Sequence, residues 1–256
     1  ASATRSRSST SKRAAVAERP TRLGAQHAIE DGDEEDDTLL DVTCPKSPTP
    51  IELGVTRQRW VQLALLSMLN LVSDWACFAF VAAPDAFLLA LGHSAEDLID
   101  LFLVTNVISC FLVTDVAKQF GLRRVVSYAG VLMAVGCALR SGVPFFGSLP
   151  EYKSIVLGTI LIGAAQPFFQ CTPPLLSQTW FANQERALAT AVAINFNQVG
   201  IALAFLVGGG MQLKNADDIH RYLSLIAVVS VLVAALTLAL FEDLPPLAPS
   251  ASAAIA

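Results

Sequence analysis

The chain has 256 residues, 54% of them hydrophobic and only 15% charged, where a soluble domain carries about 45–50% apolar and about 25% charged residues. Residues 1–56 are polar, so the rest of the chain holds more apolar surface than a soluble core can hide, and lipid is the solvent that fits. The net charge of −5 excludes a nucleic-acid partner, which needs a basic surface.

Residues 1–56 read as a disordered cytoplasmic tail. The tail begins basic and serine-rich (Arg5, Arg7, Lys12, Arg13, Arg19, Arg22) and turns acidic between Glu30 and Asp37. It has too few apolar side chains to offset the entropy of ordering. Glu35 followed by Leu39-Leu40 has the spacing of an acidic di-leucine sorting signal, a pattern that also arises by chance. Ser47-Pro48 and Thr49-Pro50 fit an extended linker imposed by proline, or phosphorylation sites.

Six apolar runs follow, at about 60–83, 98–117, 125–143, 154–174, 187–208 and 222–241, each near the roughly 20 residues a spanning helix needs. The third ends on Arg140, which is expected to snorkel to the interface. The fourth contains Pro167, which is expected to kink it. Short connections at 93–97, 121–124, 144–153, 180–186 and 209–221 make neighbouring helices antiparallel. The fold class is therefore all-α integral membrane, a six-helix bundle over 57–243. Residues 244–256 read as the start of a central cytoplasmic linker, and the initial Ala hints at an incomplete or processed chain.

Lys and Arg near the span ends set orientation. One side holds Arg57, Arg59, Lys118, Arg123, Arg124 and Arg186; the other holds Arg140, Lys153, Lys214 and Arg221. The bias favours a cytoplasmic N-terminus, in the plasma membrane or an endolysosomal or vacuolar one.

Polar residues inside spans carry the functional information, because a carboxylate at a span centre costs about 2.5–3.5 kcal/mol on insertion scales. Asp74 sits near the middle of the first span. Asn70, Ser73, Asp74 and Cys77 share one helix face. That face either lines a cavity, with Asp74 as cation partner or proton carrier, or packs with Asp74 protonated in an interhelical hydrogen bond. Thr105, Asn106, Ser109 and Cys110 make a second stripe; Gln166 and Gln170 lie one turn apart; Asn195 and Gln198 share a face of the fifth span. A second face of that span, Ala193, Asn197, Gly200, Ala204 and Gly208, reads as helix packing. The sixth span has only Ser224, Ser230 and Thr237 as polar side chains and reads as peripheral and lipid-facing.

No catalytic residues are assigned: the three histidines (His27, His93, His220) fall in the tail or loops, none beside a nucleophile. The five cysteines (Cys44, Cys77, Cys110, Cys137, Cys171) have neither paired nor metal-ligand spacing, so neither metal nor cofactor is expected. Polar stripes on several helices fit a central aqueous pathway and transport of a small solute.

Between the second and third spans the chain reads Asp115-Val-Ala-Lys118-Gln-Phe120-Gly121-Leu122-Arg123-Arg124. This resembles the signature loop of the major facilitator superfamily, although Lys118 stands at the usual Asp position, with Asp115 one turn earlier. Phe120-Gly121-Leu122-Arg123, Gly130 to Gly136, Ala165-Gln166-Pro167-Phe168-Phe169, and Trp180-Phe181 with Glu185-Arg186-Ala187 look like the feline leukaemia virus subgroup C receptor-related transporters, solute carrier family 49. The likeness covers roughly 59–246. It implies the N-terminal half of a twelve-helix carrier that works by alternating access around a midplane site. It also implies choline, ethanolamine or heme-type cargo, and a gating loop of Asp115, Gly121, Arg123, Arg124, Glu185 and Arg186. In choline-carrying members a span-one Trp and a span-five Gln hold the ammonium group. Gln198 matches the Gln, while Cys77 stands at the Trp position, with Trp75 on another face. Asp74 could supply the missing cation attraction. The expected substrate-binding set is Asn70, Asp74, Cys77, Asn106, Gln166, Gln170, Asn195 and Gln198. The expected partners are the solute, the bilayer and a second six-helix half, either a missing C-terminal half or a homodimer mate. The alternative is a truncated or receptor-like six-helix protein without transport activity of its own.

Overall fold

The structure, a computed structural model, describes residues 56–142 and 147–247. The tail up to residue 55, with its acidic run, di-leucine pattern and Ser/Thr-Pro pairs, lies outside the described residues, as do residues 248–256 of the expected linker. Among the described residues there are eight helices and no strand: α1 (Gln58–Phe78), α2 (Pro84–Leu91), α3 (Ala95–Phe120), α4 (Leu122–Ser141), α5 (Tyr152–Gln170), α6 (Pro173–Trp180), α7 (Arg186–Gly210) and α8 (Ala216–Leu240). Six stretches are long and apolar enough to cross a membrane, α5 and α6 together forming one of them.

Proline accounts for two boundary differences. The first run was expected to reach residue 83, yet α1 stops at Phe78 and a separate helix starts at Pro84. Pro84 occupies the first helical position, where its missing N–H costs nothing, and it pushes Ala83 out of the helical region (φ −151°, ψ 67°). In the fourth span, Pro167 lies within α5 without ending it; the break falls at Cys171-Thr172, ahead of Pro173-Pro174. The span then continues to Trp180, beyond the expected end at 174.

α1 is the central post of the bundle. In its apolar stretch 78% of residues are buried, against 17% in α3 and 28% in α7. The small face of α7 packs as expected. Ala193, Gly200, Ala204 and Gly208 are buried, and a Cβ on Gly200 would run into the Leu71 carbonyl of α1. Between α3 and α4 the chain turns at Gly121, whose φ of +79° is one that side-chain-bearing residues rarely adopt.

Two expectations are corrected. α8 is lipid-facing on one side only: Leu232, Leu236 and Leu240 are exposed, whereas Tyr222, Ser224, Ser230 and Thr237 are fully buried in the bundle. Its hydroxyls were read as too few to matter, but each turns inward; Ser230 and Thr237 satisfy themselves on carbonyls of their own helix. Arg140 does not snorkel. It is 2% exposed, with its guanidinium 4.0 Å from the centre of the Phe80 ring and Nη1 donating to the Ala76 carbonyl at 2.9 Å. Its stem lies against Gly158 of α5, so the side chain runs across the bundle rather than along it. Nε and Nη2 have no partner.

Candidate functional site

Asp74 is presented from the middle of α1 and is 6% exposed. It accepts a hydrogen bond from Gln166 Nε2 of α5 at 2.5 Å. Gln166 Oε1 in turn accepts from Asn106 Nδ2 of α3 at 2.6 Å. Asn106 Oδ1 then lies 3.9 Å from the Cys110 thiol, one turn along α3. Carboxylate, two amides and thiol thus form one relay across three spans. It runs from a buried end at Asp74 to an exposed end at Cys110. Amides suit such a chain because each both donates and accepts.

Other expected residues take separate positions. Asn70 is fully buried, and its amide donates to the Phe169 carbonyl at 3.2 Å and the Ala193 carbonyl at 3.3 Å, tying α1 to α5 and α7. Cys77 is a buried free thiol. Gln170 is half-buried at the last residue of α5. Asn195 and Gln198 lie on the exposed side of α7, and the Asn195 amide returns to the Ala191 carbonyl of its own helix. Ser109, from the α3 stripe, donates to the Ala164 carbonyl at 2.7 Å and pins α3 to α5 beneath the relay. Trp75 faces elsewhere: its indole donates to the Tyr222 hydroxyl at 3.1 Å, which donates to the Ala204 carbonyl at 3.0 Å.

At the end of the bundle that holds Gly121, some of the expected gating residues take part in two joints. Arg59 of α1 pairs with Glu185 ahead of α7, and Trp60 meets Phe181 edge-to-face at 5.4 Å beside them. Arg186 donates to the carbonyls of Phe181 and Gln178. The second joint uses a residue to which the sequence reading gave no role. Asp243, past α8, accepts the Arg123 backbone N–H at 2.5 Å and caps the start of α4. Gln62 adds a clamp, donating to the Leu240 carbonyl and accepting from the Glu242 N–H. The acid after a long apolar run was the available signal. Asp115, Arg123 and Arg124 have exposed side chains.

Six apolar spans carrying a buried polar relay define a multi-pass membrane protein. No protein-family model matches the chain. It is 31% identical to solute carrier family 49 member A3 of Danio rerio over 218 residues, which make up 81% of this chain and 45% of that protein. It is also 31% identical to the solute carrier family 49 member 4 homolog of Xenopus tropicalis, over 77% of this chain and 47% of that one. Identity to the choline/ethanolamine transporter FLVCR2 of Homo sapiens is 24%, over 77% and 39% of the two chains. Over most of its length the chain is similar to part of these solute carrier family 49 proteins, and it is 25% identical to an uncharacterized MFS-type transporter of Caenorhabditis elegans over 78% of this chain and 35% of that one. It spans about half the length of the curated relatives it matches.

Proposed function

We propose that the chain contributes one six-helix half to a carrier that moves a small organic solute by alternating access. The observation that carries this reading is the relay from Asp74 through Gln166 to Asn106. A carboxylate held at the middle of a span is costly, which makes it a functional-site candidate by default. A positively charged organic solute such as choline or ethanolamine, or a heme-type cargo, is the chemistry we assign to it. Asp74 would supply the attraction for an ammonium group; Gln198, Asn195 and Gln170 would offer neutral polar contacts. Asn70 and Cys77 would back the site from the buried side of α1.

The second half would cover α3 and α7, the least buried spans, which carry the polar groups at Asn106, Asn195 and Gln198. It is either the missing C-terminal portion of a longer protein or a second copy. The N-terminal side would be cytoplasmic, with the Arg59–Glu185 and Asp243–Arg123 joints acting as the inner gate. The alternative is a truncated or receptor-like six-helix membrane protein without transport activity of its own.

Uptake of labelled choline, ethanolamine and heme tests the proposal. Asp74→Asn and Gln198→Ala should each reduce uptake of the accepted solute without reducing surface expression. Normal uptake in both variants removes the site assignment. No uptake of any of the three, with no dimer captured by cross-linking, favours the non-transporting reading.

A further inference from the structure

Where α4 and α8 meet, at the Gly121 end of the bundle, a cavity of about 280 Å³ is lined by Arg123, Arg124, Ser127, Tyr128, Leu238 and Asp243. Neither arginine takes part in the one ion pair among the described residues, Arg59–Glu185. The Asp243 carboxylate is occupied with the backbone, accepting the Arg123 N–H and lying against Gly121. Ser127, 5% exposed, lines the cavity as well. The Tyr128 side chain is 66% exposed beside it. The cavity therefore offers two guanidinium groups that make no ion pair, two hydroxyls and one carboxylate, a net positive charge of one.

A second cavity of about 270 Å³ continues the same seam along the outer face of the bundle. Its walls are apolar, with Val131, Val135 and Ala138 from α4 and Val231 and Ala235 from α8; Leu238 borders both cavities. Positions 124, 128, 131, 135 and 138 continue one face of α4. At 1.5 Å per residue, Tyr128 to Ala138 spans about 15 Å, half of the roughly 30 Å hydrocarbon core. A polar, basic head pocket thus opens into an apolar groove as long as one leaflet is deep.

We propose that this seam binds an anionic phospholipid. Arg123 and Arg124 take the phosphate, the Ser127 and Tyr128 hydroxyls donate to its remaining oxygens, and one acyl chain lies in the groove between α4 and α8. Charge complementarity favours the lipid over a neutral one. Arg57, Arg59, Lys118 and Arg186 sit at the same end, as the leaflet richer in anionic lipid requires. This site is independent of the solute relay, and its failure would leave that reading untouched.

Native mass spectrometry of the purified chain, titrated with phosphatidylglycerol or phosphatidylcholine, tests the proposal. Phosphatidylglycerol should bind more tightly and raise the melting temperature. Removing both charges in Arg123→Gln/Arg124→Gln should weaken it about thirtyfold, and Arg124→Gln alone roughly fivefold. Ala235→Trp, which fills the groove, should abolish the preference while helix content and elution volume stay unchanged. Equal retention of the two lipids, or parent-like binding in the arginine variants, overturns the proposal. So does the same stabilisation by glycerol phosphate without acyl chains, which would mark a small-anion site.

Discussion

Replacing Gln166 by leucine removes the middle link of the relay while keeping most of the side-chain volume. Two hydrogen bonds are lost, one to Asp74 and one from Asn106. Side-chain bonds between membrane helices average about 0.6 kcal/mol and reach about 1.7, so the pair accounts for about 1.2 kcal/mol at the mean. Asp74 is 6% exposed, and a buried polar group left without a partner adds about 1–3 kcal/mol. The expected destabilisation is therefore about 2–4 kcal/mol. Denaturant unfolding in mixed micelles reads it, with the buried Trp75 as an intrinsic fluorophore between α1 and α8. A cycle with Asn106→Ala isolates the second bond: that substitution should cost about 0.6–1.7 kcal/mol less in the Gln166→Leu background than in the parent. A loss under about 0.5 kcal/mol, with Asn106→Ala fully additive, would refute the relay.

Gly200→Val should destabilise the protein by about 1–3 kcal/mol, at the upper end of overpacking costs because the obstacle is the Leu71 backbone; unfolding in the same micelles checks this. Arg140→Met should leave stability unchanged or raise it by about 1 kcal/mol, since a long apolar side chain relieves a buried cation that lacks a carboxylate; a lower melting temperature would show that the Ala76 and Phe80 contacts outweigh desolvation. Arg59→Ala and Glu185→Ala should show a coupling of about 0.5–1 kcal/mol in a double-mutant cycle that weakens as salt rises.

Hydropathy made the six spans legible because lipid imposes a length and composition that no loop satisfies. Small-residue periodicity likewise marked the packing face of α7, with Gly200 and Gly208 read as close approach, but it left the partner, Leu71 of α1 at Gly200, open. The relay was half legible. Asn106, Gln166 and Asp74 each announced a polar face, but which faces meet depends on helix rotation, and that is set by packing between residues 60 or more apart. Arg140 was misread for the same reason. Near the end of an apolar run an arginine resembles an interfacial anchor; only Phe80 and Gly158, from two other segments, show that it is enclosed. The Asp243 cap was hidden because its partner is a backbone N–H, which leaves no trace in side-chain pattern.

The Gln62 clamp has an evolutionary consequence. By holding Leu240 and Glu242 against α1, it places the bundle's way in and way out side by side on one membrane face. With an even number of crossings, a tandem duplication of the coding segment would insert both copies the same way up. A short tether would join them without crossing the bilayer again. Parallel repeats of this kind need no inversion of topology signals.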